Sequence, residues 1–245
     1  MIKIAQNEIR NIKLELKKLD SKTTIIFLSS IILLTFSWYF ANPKFFRESF
    51  NFIDQNDIIV EELSSFIYWF LFDFLLFIII PIYIITLKFK ENLKSYGLSF
   101  ENKKVGFFYL VISILIFIPI IIFVSASENF AEYFPLMNSA KDEIIIFLIY
   151  ECFFILFIFS WEFIFRGFIL FGLEKKFGIY SIFIQMIPFV LLHSGKPFIE
   201  TFASIIGGIF LGYLALRTRS VFYGFLIHAF ILITLDFISL LKPLI

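Results

Sequence analysis

Charge is scarce in this chain. Only 17% of its 245 residues are Asp, Glu, Lys or Arg, where soluble domains carry about a quarter. With 60% hydrophobic residues and a mean hydropathy of +0.93, a soluble domain is excluded and an integral membrane protein is implied. The net charge is only +1 and the Lys and Arg residues are scattered over several loops, so no nucleic-acid partner is expected. The single Cys152 excludes a disulfide within the chain; in an apolar helix a thiol behaves as a small hydrophobe. No Ser/Gly linker or repeat divides the sequence, which reads as one membrane domain. An inverted repeat and a pair of broken helices are also missing, and these are the marks of many transporters. H-E-x-x-H spacing is absent too, so the signal for a metal is weak.

What is present is apolar length. Seven segments approach the roughly 20 residues needed to cross the hydrocarbon core: about 23–41, 64–87, 105–124, 144–172, 178–195, 199–216 and 220–241. The expected fold is therefore all-α, a polytopic transmembrane bundle of about seven spans. The 39 Phe residues read as lipid-facing and helix-packing groups. Before the first span, residues 1–22 interleave Lys3, Arg10, Lys13, Lys17, Lys18 and Lys22 with Ile2, Ile9, Ile12, Leu16 and Leu19. That pattern suits a basic amphipathic helix on an anionic bilayer surface. No small-x-small site follows the first apolar run, so a cleaved signal peptide is not expected. Segments 1–22, 88–104, 173–177 and 217–219 hold fifteen Lys and Arg, against five in the alternate loops and C-terminal end (Lys44, Arg47, Lys141, Lys196, Lys242). The positive-inside rule then places the N-terminus in the cytoplasm, and the setting expected is a bacterial plasma membrane. Acidic residues gather in the outer loops, Glu48, Asp54, Asp57, Glu61 and Glu62 in one and Glu128, Glu132, Asp142 and Glu143 in the other.

Polar residues inside the spans are few, and at that depth they are usually functional. Glu162 and Arg166 stand four apart within the fourth span, a good orientation for an intrahelical ion pair. The only two histidines, His193 and His228, lie in later apolar runs. If the fourth and fifth spans form a hairpin turning at Glu174 to Gly178, Glu162 and His193 each lie about 15 residues from its tip, roughly 23 Å along at 1.5 Å per residue. They can then face each other. His228, about nine residues past the next turn, sits shallower at about 14 Å unless the fourth and fifth helices project further than the sixth and seventh. Asp73, Glu151 and Asp236 read as helix-packing or cavity-lining acids. Ser204, Gly208 and Gly212, at intervals of four, mark a close-packing face.

A buried glutamate beside a histidine can act as general base on water, and a second histidine can donate to the oxyanion that forms when water attacks an amide carbonyl. Two histidines and a glutamate are also a known zinc set. If a metal is bound, Glu162, His193 and His228 are its ligands, though no cofactor is expected.

Trp161 to Gly167, then Phe189 to His193, then His228 resembles the three motifs of the CPBP family of intramembrane endopeptidases, the type II CAAX prenyl proteases and bacteriocin-processing (Abi) proteins. Those motifs read E-E-x-x-x-R, F-x-x-x-H and H-x-x-x-N/D on successive membrane helices. The resemblance implies a catalytic core over 144–245, preceded by three N-terminal helices over 23–143 and the segment 1–22. It further implies an intramembrane endopeptidase open to the cytoplasmic side. Glu162 and His193 would activate water, Arg166 would position Glu162 and His228 would help to stabilise the oxyanion. The substrate would be a membrane-associated peptide or lipidated protein, and the bilayer the other partner. Two positions depart from the motifs: Trp161 stands at the first glutamate, and Leu232 where Asn or Asp would follow His228. The alternative is a catalytically inactive member that binds or chaperones a membrane partner.

Overall fold

The computed structural model describes residues 1–50, 58–127 and 130–241; Asp54, Asp57, Glu128 and Lys242 lie outside them. The described chain is helical, without a β-strand. Its helices of seven residues or more are α1 (Ile2–Leu16), α2 (Ser21–Phe40), α3 (Pro43–Ser49), α4 (Ile58–Lys88), α5 (Lys103–Ser125), α6 (Ile144–Phe177), α7 (Tyr180–Leu191), α8 (Phe198–Thr218) and α9 (Phe222–Leu241). Six of these are long and apolar enough to cross a membrane: α2, α4, α5, α6, α8 and α9. The seventh apolar helix, α7, has 12 residues, about 18 Å, and is shorter than the 178–195 span expected. The cause is local: Pro188 lies one turn before its end, and Gly195 at φ +99° with Pro197 behind it turns the chain into α8. The end of the expected segment, from Leu192 on, is a turn. On α1, Ile9, Ile12 and Leu16 are exposed, as an interfacial helix requires.

Side-chain contacts define the two ends of the bundle. At one end Lys22 at the start of α2 pairs with Glu91 beyond α4 at 2.6 Å, Arg219 before α9 pairs with Glu174 near the end of α6 at 2.7 Å, and the Val221 N–H donates to the Gly97 carbonyl at 3.0 Å. Burial alone would raise the Glu91 carboxyl, but the Lys22 ammonium and Tyr96 hydroxyl outweigh it and hold it below its usual value. At the other end Glu62 at the start of α4 accepts from the Asn138 and Ser139 N–H groups at 3.2 and 3.1 Å, and the Ser239 hydroxyl donates to the Phe134 carbonyl.

Two long helices are not regular. Pro81 cannot donate to the α4 ladder, and the turns on either side of it, Leu75–Ile79 and Ile84–Lys88, widen into π-helix. In α6 the widening runs over Phe163–Phe171, all nine residues of which are buried. Such segments often mark functional sites.

Helix packing uses glycine where backbones meet. On α8 the stripe of small residues faces α7: Gly208 lies against Met186 and Phe189, Gly212 against Gln185 and Ile182, and the buried Gln185 amide donates to the Gly208 carbonyl at 3.0 Å. Where α5 meets α9, a Cβ on Gly106 would lie 2.2 Å from the Tyr223 ring. Tyr223 is 5% exposed and has little room to move. Gly106→Ala is therefore expected to destabilise by about 1–3 kcal/mol through overpacking, while Gly207→Ala, whose Cβ meets nothing within 4 Å, gains up to about 1 kcal/mol of helix propensity. Thermal unfolding of the detergent-solubilised variants checks the pair, and equal midpoints would refute the packing argument.

Candidate active site

Glu162 is the last regular residue of α6 before the wide turns begin, and Arg166 lies within them. Both are fully buried. The Arg166 Nη1 stands 3.2 Å from Glu162 Oε1, as the four-residue spacing led one to expect. The guanidinium also lies over the face of Phe189 on α7, 4.1 Å from its centroid, a cation–π contact that gains strength when desolvated.

The imidazole that reaches Glu162 is that of His228, with Nδ1 2.9 Å from Oε1. The hairpin arithmetic had favoured His193. His228 arrives because α6 extends to Phe177 and the turn before α9 is tied by Arg219 to Glu174, inside the end of α6. Counted from that tie, Glu162 is 12 residues deep and His228 nine, a difference of about 4.5 Å that side chains can span.

Gly224, one turn before His228 on the same face of α9, was not singled out by sequence reasoning. A Cβ there would stand 3.1 Å from Glu162 Oε2, so its absence allows α9 to approach the carboxylate closely. The readable signal was a glycine four residues ahead of an intramembrane histidine.

His193 falls in the turn after α7. Its Nδ1 is 2.8 Å from the Phe189 carbonyl, and since a carbonyl only accepts, Nδ1 carries the proton and Nε2 is left with its lone pair. Facing a carboxylate, His228 Nδ1 is likewise the protonated nitrogen. The Thr201 hydroxyl donates to the His193 carbonyl at 2.8 Å and fixes the turn.

Both histidines line one cavity of about 350 Å³, walled largely by aromatic and aliphatic side chains and reached also by Lys196 and Asp236. Glu162 and Arg166 are not among its lining residues; they lie behind His228. Trp161 and Leu232, the two positions that depart from the motifs, line it as well. The Trp161 ring meets His193 edge-on at 6.0 Å, and its indole N–H donates to Asp73 Oδ2 at 3.4 Å, a carboxylate that also accepts from Trp69 at 3.2 Å. Asp73 is thus a support for the cavity wall. Glu151 neighbours Asp236.

Among the described residues no group of three or more His, Cys, Asp or Glu is placed to hold a metal ion. Glu162, His193 and His228 are not gathered as three ligands, so a zinc set does not fit these positions.

Compared with known proteins, residues 142–234 match the family model described as type II CAAX prenyl endopeptidase Rce1-like. The match spans Glu162, Arg166, His193 and His228 and supports the resemblance to the CPBP and CAAX proteases over that region. It also supports peptide hydrolysis as the general class of activity. No curated protein and no solved structure matches the chain.

Proposed function

We propose that this integral membrane protein is an intramembrane endopeptidase that cleaves a peptide bond of a membrane-associated or lipidated polypeptide, with His228 backed by Glu162 as its base. The observation that carries the reading is the buried series Arg166, Glu162, His228, in which only the imidazole reaches the cavity. With Nδ1–H held by Glu162, the His228 Nε2 takes a proton from water as the water oxygen bonds to the substrate carbonyl carbon. The imidazolium so formed faces a carboxylate fixed by Arg166, which lowers the cost of its charge. The same imidazolium then gives its proton to the leaving nitrogen as the C–N bond breaks. His193, with its own Nε2 lone pair in the cavity, accepts the second water hydrogen and orients the nucleophile.

The expected result is that His228→Ala and His193→Ala each lower cleavage by roughly 10²–10⁴-fold, the usual contribution of a positioned general base. The measurement is a comparison of protein N-termini in membranes carrying wild type and variants: termini made by the wild type should vanish in both. Wild-type levels of those termini in His228→Ala would refute the mechanism.

A non-catalytic binding or chaperone role is the second reading, and Trp161 and Leu232 at the cavity surface favour it. A deletion phenotype that His228→Ala fails to reproduce would select it.

A further inference from the structure

We infer that the cavity takes its substrate from the membrane face opposite the basic loops, so that the polypeptides cleaved are those whose scissile segment is exported. This rests on the peptidase reading above and names the substrate class for it.

Three loop positions that line the cavity lie at one end of the bundle. Asn42 sits in the turn between α2 and α3, Leu136 in the segment ahead of α6, and Lys196 in the turn between α7 and α8. That end is the one closed by the Glu62 contacts to Asn138 and Ser139. No residue of 88–104, 173–177 or 217–221 lines the cavity. Those segments form the other end, joined by the Lys22–Glu91 and Arg219–Glu174 pairs. There, together with α1, stand fifteen of the chain's 21 Lys and Arg residues.

Each Lys or Arg near an anionic leaflet contributes about 1 kcal/mol of attraction to it, and short-loop Lys/Arg bias sets orientation. Fifteen against five is a decisive bias. The basic end is cytoplasmic and the cavity mouth is on the other side. This proposal departs from the cytoplasmic opening that the resemblance implies. The reason is the shortness of α7: where the helix stops, its turn brings His193 and Lys196 to the cavity at the end away from Lys175 and Lys176.

The test uses the full chain in intact bacterial cells, with the exposed Cys152 changed to Ser and a membrane-impermeant maleimide as probe. Lys196→Cys at the cavity, and Lys44→Cys on the exposed face of α3 (side chain 81% exposed), should label in intact cells. Lys94→Cys at the basic end should label only after permeabilisation. The reverse pattern at positions 44 and 94 overturns the proposal even if position 196 is shielded. In parallel, N-termini lost from membranes of His228→Ala cells should map to exported segments of membrane proteins or lipoproteins. Mapping to cytoplasmic segments overturns the substrate class. Labelling as expected with no terminus lost would sink the peptidase reading and leave the sidedness standing, so the two failures are told apart.

Discussion

Glu162→Gln is expected to destabilise the folded protein by about 3–5 kcal/mol as well as to abolish cleavage, and adding Arg166→Met should return the stability without the activity. The asymmetry follows from burial. Glu162 and Arg166 have no exposed surface, so removing the carboxylate strands a guanidinium whose remaining strong contact is the Phe189 ring. A buried charge without its partner is costly, whereas replacing the whole pair by apolar groups of similar volume is often neutral. Methionine suits the position because its flexible thioether packs well against aromatic rings, and Phe165 and Phe189 flank it. His228 would still lack its carboxylate, so the double variant should cleave at least about 100-fold more slowly than wild type. Thermal unfolding in detergent gives the first quantity and terminus mapping the second. A Glu162→Gln protein as stable as wild type would show that the guanidinium is satisfied elsewhere, and cleavage by the double variant at the wild-type rate would remove Glu162 from the mechanism.

Much of this arrangement could be read from the sequence, for reasons that also explain what could not. The helical class and the spans follow from apolar length, which needs no tertiary information. The Glu162–Arg166 pair was legible because an i, i+4 spacing is a local geometric fact that even the wide turns of Phe163–Phe171 do not undo. The partner of Glu162 was a different matter. Depth counting treats helices as continuous rods of equal reach, and α7 stops after 12 residues while α6 runs for 34. The tie between Arg219 and Glu174, which decides where α9 begins, is a long-range contact with no local signature. Gly224 was hidden for the same reason, since its meaning depends on what stands opposite it.

The second large effect is expected where the chain departs from the family motif. Trp161→Glu writes the first glutamate back, and the simplest reasoning would have it restore or raise activity. The packing argues otherwise. The indole is surrounded by Phe157, Phe165, Phe77 and Phe189 with ring centroids 5.4–6.5 Å away, and removing a packed aromatic of this size costs about 3–5 kcal/mol. Its N–H serves Asp73 Oδ2, and Asp73 Oδ1 has no hydrogen-bond partner. A carboxylate at 161 would withdraw that donor and stand beside a fully buried acid, and like charges brought together in a buried place are costly. Trp161→Glu is thus expected to lose most of the folded protein, and Trp161→Glu with Asp73→Asn to recover part of it, since an amide can donate where the aspartate could only accept. Yield of folded protein on size-exclusion chromatography measures both. If Trp161→Glu alone folds and cleaves faster than wild type, Asp73 and Trp161 are not a coupled support, and the chemistry assigned to Glu162 and His228 belongs to position 161. If only the double variant folds, the acid at 73 and the indole at 161 act as a unit. Position 161 is then committed to holding the cavity wall, which leaves Glu162, behind His228, as the carboxylate that the proposed mechanism uses.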